Sequence, residues 1–262
     1  MLQPIYRLLI ELTNGRIISE ALKRFSQSRW SKPLISSYIS LFNINKGEIE
    51  QDISKFTTLH DLFTRRLKAG ARKIDEAENA VVSPVDGVME DYGVISNERV
   101  IAVKGKDYSI GEMLGDDDEL KKYSGGSYMV LYLSPSHYHR IHSPVSGKVV
   151  KRWVLGKKSY PVNNWGMRYG RQPLSKNYRN ISELEHKGTH IAVVKVGAMF
   201  VNSIIITDQS KDLHRGQEFA YFSFGSTVVL LFERNAFRIK EPLTLPKDVR
   251  VGEVIGFIES AK

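Results

Sequence analysis

Phe222-Ser223-Phe224-Gly225-Ser226-Thr227-Val228-Val229-Leu230-Leu231-Phe232 places a glycine and two hydroxyl residues directly before an apolar, β-branched run. That order predicts a tight bend feeding straight into a buried strand. Gly225 has no Cβ and tolerates backbone conformations that other residues avoid, which would let the Ser226 hydroxyl fold back on the carbonyl before it. Gly-Ser-Thr is also an ordinary turn, so the stretch alone leaves architecture and chemistry both open.

Working outward, short β-rich runs punctuated by Gly, Pro, Asn or Asp recur at 100–103, 128–133, 147–155, 190–196, 200–207, 227–232 and 254–258. Two segments echo one another: Ser83-Pro84-Val85-Asp86-Gly87-Val88 and Ser143-Pro144-Val145-Ser146-Gly147-Lys148-Val149, each a proline-initiated turn opening a strand. With Val251-Gly252-Glu253-Val254 they resemble the hairpins of barrel-sandwich hybrids in biotinyl and lipoyl carriers. One echo carries Asp86 where the other carries Ser146.

Before residue 70 the period changes. Ile5, Leu8, Leu9 and Leu12 keep helical spacing, as do Ile17, Ile18, Ala21, Leu22 and Phe25, and Thr58 with Asp61 signals a capped helix. The expected class is therefore α+β: amphipathic N-terminal helices over 1–70, then a mainly β core over 71–262 resembling a barrel-sandwich hybrid. Arg7 and Glu11 interrupt a first apolar run too short to span a bilayer, and no cleavage site for a signal peptide follows it. Residues 1–70 hold eleven Lys/Arg against six Asp/Glu beside these apolar stripes. That pattern suits helices lying in an anionic interface, and equally suits helices packed on a core with solvated basic faces.

The whole chain has 262 residues, no cysteine and a formal charge of +9. The absence of cysteine removes disulfides, thiolate nucleophiles and Cys-ligated metal centres, so any nucleophile is oxygen or nitrogen. The charge favours an anionic partner, nucleic acid or an acidic membrane.

Three of the seven histidines lie in Ser134-Pro135-Ser136-His137-Tyr138-His139-Arg140-Ile141-His142-Ser143-Pro144. No Asp or Glu stands beside them, so no metal is expected, and general acid–base work near neutral pH fits better. Residues 148–180 hold nine Lys/Arg and no acid, interleaved with Trp153, Tyr160, Trp165, Tyr169 and Tyr178. Such a run suits stacked nucleic acid or a phospholipid headgroup layer, and a solvated loop as well. Nucleic acid is not expected, because no nucleic-acid-binding motif accompanies the charge.

Ser83-Pro84-Val85-Asp86-Gly87, Tyr138 to Pro144, Val196-Gly197-Ala198, Phe222 to Thr227 and Val249 to Glu253 occur in an order that resembles bacterial phosphatidylserine decarboxylases nearly end to end. His137 occupies a position that family does not keep as histidine and is left out of the mechanism. The resemblance implies a proenzyme that cuts itself between Gly225 and Ser226, giving a β chain 1–225 and an α chain 226–262. Ser226 would attack the Gly225 carbonyl to form an ester; β-elimination and hydrolysis would then leave a pyruvoyl group on the α chain. By match to the family, His142 is the base for Ser226, Asp86 orients it, and His139 serves the later reaction as proton donor or carboxylate contact. The pyruvoyl group would take phosphatidylserine as a Schiff base, and phosphatidylethanolamine and CO2 would leave.

The expected partners are thus phosphatidylserine in an anionic membrane and the two fragments of one precursor, in a homo-oligomer peripheral on the cytoplasmic side of the cell membrane. Three other classes fit less well. A serine hydrolase would show a Gly-x-Ser-x-Gly elbow. A carrier module would place a modifiable lysine at a hairpin tip, where Asp86-Gly87 and Ser146-Gly147 stand instead. A nucleic-acid binder would lose affinity steeply with salt and show no lipid preference.

Overall fold

The run that begins at Ser226 is buried at all seven of its positions, which requires cover on both faces of the sheet it joins. The computed structural model describes residues 16–96, 100–103, 105–115, 117–158, 160–162, 164–198, 204–223, 225–241 and 244–259. The apolar stripe at 5–12 and Phe224 lie outside them.

Strands follow one another as β1 (Ala80–Val82), β2 (Gly87–Val94), β3 (Val100–Val103), β4 (Lys106–Ser109), β5 (Ser127–Leu133) and β6 (Arg140–His142). They continue as β7 (Gly147–Leu155), β8 (Arg179–His186), β9 (Thr189–Gly197), β10 (Ile204–Ile206) and β11 (Asp212–Leu213). The last are β12 (Glu218–Phe222), β13 (Ser226–Phe232), β14 (Phe237–Ile239), β15 (Lys247–Val249) and β16 (Val254–Ile258). Eight of them form one sheet in the order β11-β7-β8-β9-β13-β5-β2-β15. β13 is central there, antiparallel to β5 (Ser226 opposite Leu133) and to β9 (Ser226 opposite Gly197).

Side chains alternate across this sheet, so each face has its own core. Leu131, Leu133, Val193, Val228, Leu230 and Phe232 pack with Ile141, Phe219, Phe222, Phe237 and Ile255 from the two three-stranded sheets β1-β16-β14 and β10-β12-β6. Val130, Ile181, Val194, Val196, Val229 and Leu231 pack instead with Ile101 and Tyr108 of the β3–β4 hairpin and with Met113, Leu120, Met167 and Leu174. The last four belong to short helices, numbered below in chain order from the amino-terminal region. The described strands form open sheets rather than a closed barrel, and the α+β class holds.

In that amino-terminal region lie α1 (Arg16–Gln27), α2 (Leu34–Leu41) and α3 (Leu59–Phe63). Thr58 and Asp61 form the expected capping box at the start of α3, each side chain accepting the other's N–H at 3.0 Å. Ile35, Ile39, Ile44, Ile49, Phe56 and Leu62 make a separate small core. Arg65 and Arg140 tie this region to the β core: Arg65 Nη2 donates to the Ser136 and His137 carbonyls at 2.7 and 2.9 Å, and Arg140 Nη2 to that of Thr64 at 2.9 Å.

The β core carries α4 (Ile110–Leu114), α5 (Asp117–Tyr123), α6 (Asn164–Tyr169) and α7 (Pro173–Lys176). These elements engage several of the basic residues in the 148–180 run. Arg179 is buried and donates to the Glu112, Met113 and Asn177 carbonyls; Arg152 donates to those of Asp208, Gln209 and Ser210. Lys151 pairs with Glu119, Lys176 with Glu112, and the Trp153 indole N–H donates to Leu114 O at 2.7 Å. Much of the charge that looked free in the sequence is consumed by the carbonyls and acids of neighbouring elements.

The two echoing segments are related by a local two-fold. Val82 N–H donates to Pro144 O at 3.0 Å, and His142 N–H to Pro84 O at 2.8 Å. Ser83 and Ser143 N–H donate to Glu253 and Gln217 O, both at 2.8 Å, and each serine hydroxyl closes its own turn on the carbonyl two residues on, both at 2.7 Å. Asp86 Oδ1 accepts the Val251 N–H at 2.9 Å; its counterpart Ser146 Oγ accepts the Arg215 N–H at 3.0 Å. Gly87 and Gly147 are required for the same reason, since a Cβ would come within 2.6 Å of Tyr132 O in one half and 2.5 Å of Glu185 O in the other. Asp86 and His142, which stands where the other half has Val82, are two departures from this symmetry.

Candidate active site

Ser226 opens β13 at the point where the chain leaves the small β10-β12-β6 sheet and enters the large one. Its hydroxyl is fully buried with no hydrogen-bond partner. A buried hydroxyl without a partner is costly, by roughly 1–3 kcal/mol, so such an atom marks a place where structure has yielded to something else. The carbonyl of Gly225 accepts the Ala198 N–H at 2.9 Å. Gly225 itself needs no left-handed backbone, and a Cβ there would meet open space. The conformational freedom expected of it is therefore not used in this state of the chain.

His139 lies beside the strand that leads to Ser226, its carbonyl accepting the Phe222 N–H at 2.9 Å. Its Nδ1–H donates to His137 O at 2.9 Å, because a carbonyl can only accept. The lone pair therefore sits on Nε2, which is buried and without a partner. The ring packs on Phe63 of α3 with centroids 3.9 Å apart. Burial, reinforced by the Arg65 cation, pushes this imidazole well below its ordinary range, so it is neutral at pH 7.

His142, on β6, donates Nδ1–H to Gly216 O at 2.7 Å, and Nε2 accepts the Tyr138 hydroxyl at 3.2 Å. Burial lowers its pKa too, opposed by the Gly216 bond and by the negative charges of Glu218 and Asp86. Asp86 is held elsewhere: Arg72 Nε reaches both carboxylate oxygens at 2.8 and 3.0 Å, and Arg72 Nη2 bonds Oδ2 and also Glu48 at 2.9 Å. Asp86, His142 and Ser226, expected as a hydrogen-bonded trio, are not joined as one among the described residues. The Gly216 carbonyl holds the His142 Nδ1–H, and the negative charge of Asp86 acts on the same ring. His137, set aside in the sequence, folds its Nδ1 back onto Ser134, accepting that residue's N–H at 3.0 Å.

Two adjoining cavities open beside these groups. One, of about 260 Å3, is lined by Arg65, Arg72, Asp86, His137, Tyr138 and Arg250 among others. The second, of about 180 Å3, is lined by Arg72, Tyr138, His142, Gly216 and Val251 among others. Neither Ser226 nor His139 lines them. No group of three or more His, Asp or Glu among the described residues could hold a metal.

The sequence reading missed Arg72, Gly216 and Asn177. Only Gly216 left a trace, since His214-Arg215-Gly216-Gln217 echoes the Arg250-Val251-Gly252-Glu253 turn.

Residues 59–257 match the family model described as phosphatidylserine decarboxylase. A phosphatidylserine decarboxylase proenzyme of Geobacillus sp. (strain WCH70) is 56% identical over 259 residues, covering 99% of this chain and 100% of the relative. Its namesakes in Bacillus mycoides (strain KBAB4) and Bacillus thuringiensis subsp. konkukian (strain 97-27) are each 54% identical over 255 residues, 97% of either chain.

Proposed function

The chain belongs to the phosphatidylserine decarboxylase family, and from that premise we propose how its residues perform the reaction. It is a self-processing carboxy-lyase that converts phosphatidylserine to phosphatidylethanolamine and CO2. The observation that carries the residue assignment is the buried Ser226 hydroxyl, without a partner, next to the carbonyl it would attack.

In this reading Ser226 Oγ adds to the Gly225 carbonyl carbon while His142 takes the proton. A serine hydroxyl is a weak nucleophile until a base assists it, and burial keeps the imidazole in its neutral, accepting form. His142 must exchange its Tyr138 hydroxyl for Ser226 to do so, and the carboxylate of Asp86 then supports the imidazolium. The adduct collapses to an ester as the Gly225–Ser226 C–N bond breaks; loss of the Ser226 Cα proton and of the Gly225 carboxylate by β-elimination would divide the chain into residues 1–225 and 226–262, and hydrolysis of the resulting dehydroalanine would release ammonia and leave a pyruvoyl group at the head of β13. The site fits such a group, since Ser226, whose Cα and Cβ would become its carbonyl and methyl carbons, is fully buried, and its Oγ, which would leave with residues 1–225, engages no other residue. When present it supplies the electron sink that side chains lack for losing CO2. His139 Nε2, with its free lone pair, holds or returns the proton in that step. A second reading follows from the same free lone pair: His139, rather than His142, would deprotonate Ser226. Separate His139→Ala and His142→Ala variants decide, because only loss of the true base blocks self-cleavage.

Residues 1–70 would face the membrane and 71–262 carry the chemistry. Trp30 (84% exposed), Leu41 (75%), Leu34, Leu22 and Phe25 present apolar surface beside exposed Arg24, Arg29 and Lys32, the composition of an interfacial anchor. No helix among the described residues is long and apolar enough to cross a membrane.

Denaturing mass spectrometry tests the central claim. Two fragments divided at Gly225 are expected, the smaller without a free amine, and Ser226→Ala should stay intact and release no CO2 from phosphatidylserine. An active preparation holding only uncut chain with an unmodified serine would overturn it.

A further inference from the structure

The register of β9 against β13 runs one residue beyond both strands. Ser226 is opposite Gly197, and past the end of each strand the Ala198 N–H still reaches the Gly225 carbonyl at 2.9 Å. Ala198 is buried. The peptide that carries this N–H is gripped from its other side, where the Gly197 carbonyl accepts Asn177 Nδ2 at 2.9 Å.

Asn177 is fully buried and its orientation is forced. Nδ2 also donates to Tyr160 O at 2.7 Å, and Oδ1 accepts the Tyr160 N–H at 2.9 Å. Two carbonyls can only accept and one N–H can only donate, so the reverse amide would lose all three bonds. The Gly197–Ala198 peptide thus stands in a chain of hydrogen bonds running Asn177 amide, Gly197 carbonyl, Ala198 N–H, Gly225 carbonyl. Each bond polarises the next.

We infer that the Ala198 N–H is the oxyanion donor for self-cleavage, held in line by Asn177 as a positioning residue. The inference rests on the self-cleavage reading above. As the bond from Ser226 Oγ to the Gly225 carbon forms, the hydroxyl proton passes to the base and the carbonyl electron pair moves onto oxygen. Collapse re-forms the carbonyl, breaks the C–N bond and delivers a proton to the Ser226 nitrogen, leaving an ester and a free amine. No further reagent is needed. The Ala198 bond is neutral before attack and charge-assisted at the tetrahedral stage, so it stabilises that stage more than the ground state. It is also in place beforehand, fixed by the sheet register, so no reorganisation accompanies the step.

Replacing Ala198 by lactic acid, through nonsense suppression, exchanges this N–H for an ester oxygen and leaves the side chain intact. Hydroxylamine traps the ester stage as a fragment ending at Gly225 and another beginning with an unmodified Ser226, so its yield over time reports ester formation apart from elimination. The trapped product should form about 10²–10³-fold more slowly than in the parent. Should the lactate chain fail to give folded precursor, Asn177→Ser is timed by the same trap and should also slow ester formation, with elimination after it unchanged. Ester formation at the parent rate in the folded variant would reduce the contact to an ordinary sheet bond and overturn the inference. A parent that never divides at Gly225 would instead sink the self-cleavage reading.

Discussion

Arg72 grips both oxygens of the Asp86 carboxylate, from a loop fourteen residues earlier in the chain. Both side chains are nearly buried, at 11% and 8% exposure, and Val251 N–H is the other donor to Asp86. Removing one partner of such a pair strands a charge in a poorly solvated site. Arg72→Met should therefore cost about 3–5 kcal/mol, and Arg72→Lys, which keeps the charge but loses the planar fork, should cost less. Urea unfolding in the Ser226→Ala background, where the chain is homogeneous, measures both.

Protonation of the buried histidines sets a limit on the acid side. His139 and His142 both have pKa values lowered by burial, so the unfolded chain binds more protons than the folded one below about pH 6.5. Their contribution to stability is fully present above that pH and is lost as pH falls toward the folded values. Each can contribute a slope of at most about 1.4 kcal/mol per pH unit in that window. His139→Phe in the Ser226→Ala background should flatten the fall between pH 6.5 and 5; an unchanged slope would show that His139 takes no part in it.

Lys195 is buried in the face of the sheet that carries Ser226, its amine donating to Ser182 Oγ at 2.8 Å and lying 5.1 Å from the Phe219 ring centre. Burial drives its pKa well below the ordinary value. Between that folded value and 10.5 the unfolded chain carries the extra proton, so stability rises with pH across the window and is lost as pH falls. Lys195→Met combined with Ser182→Ala, which leaves no orphaned hydroxyl, should raise stability at pH 7 and weaken its increase from pH 7 to 9. Equal slopes in parent and variant would count against a neutral buried amine.

Binding to vesicles separates apolar from electrostatic anchoring. Trp30→Ala with Leu41→Ser should weaken sedimentation with any vesicle by at least about tenfold, since each buried apolar side chain contributes roughly 1.5–3 kcal/mol. Neutralising Lys23, Arg24 and Arg29 should weaken binding to anionic vesicles alone, by about 1 kcal/mol per charge. Circular dichroism should not change, because Trp30, Leu41, Arg24 and Arg29 lie on the surface. Equal binding to anionic vesicles after the charge substitutions would refute the electrostatic part.

Features that short-range chemistry encodes are legible along the chain. Runs such as 147–155 and 254–258 read as strands from their own composition, and β7 and β16 have those limits. The Thr58–Asp61 cap, the echoing Ser-Pro-Val turns, the crowded histidines and the hydroxyl at the head of a buried strand were equally legible. The helices α4 to α7, of four to seven residues, were not, because so few positions show no period. Nor were the uses of Arg152 and Arg179, whose charges face carbonyls far along the chain.

Contacts between segments remote along the chain set which partner each buried polar group takes. Asp86 goes to Arg72, the His142 ring to Gly216, seventy-four residues away, and Asn177 to Gly197. Hydrogen bonds fall off within a few tenths of an ångström and a few tens of degrees, and no local pattern of residues carries that distance information. It arises when the sheet register and the two-fold of the turns bring remote backbone together.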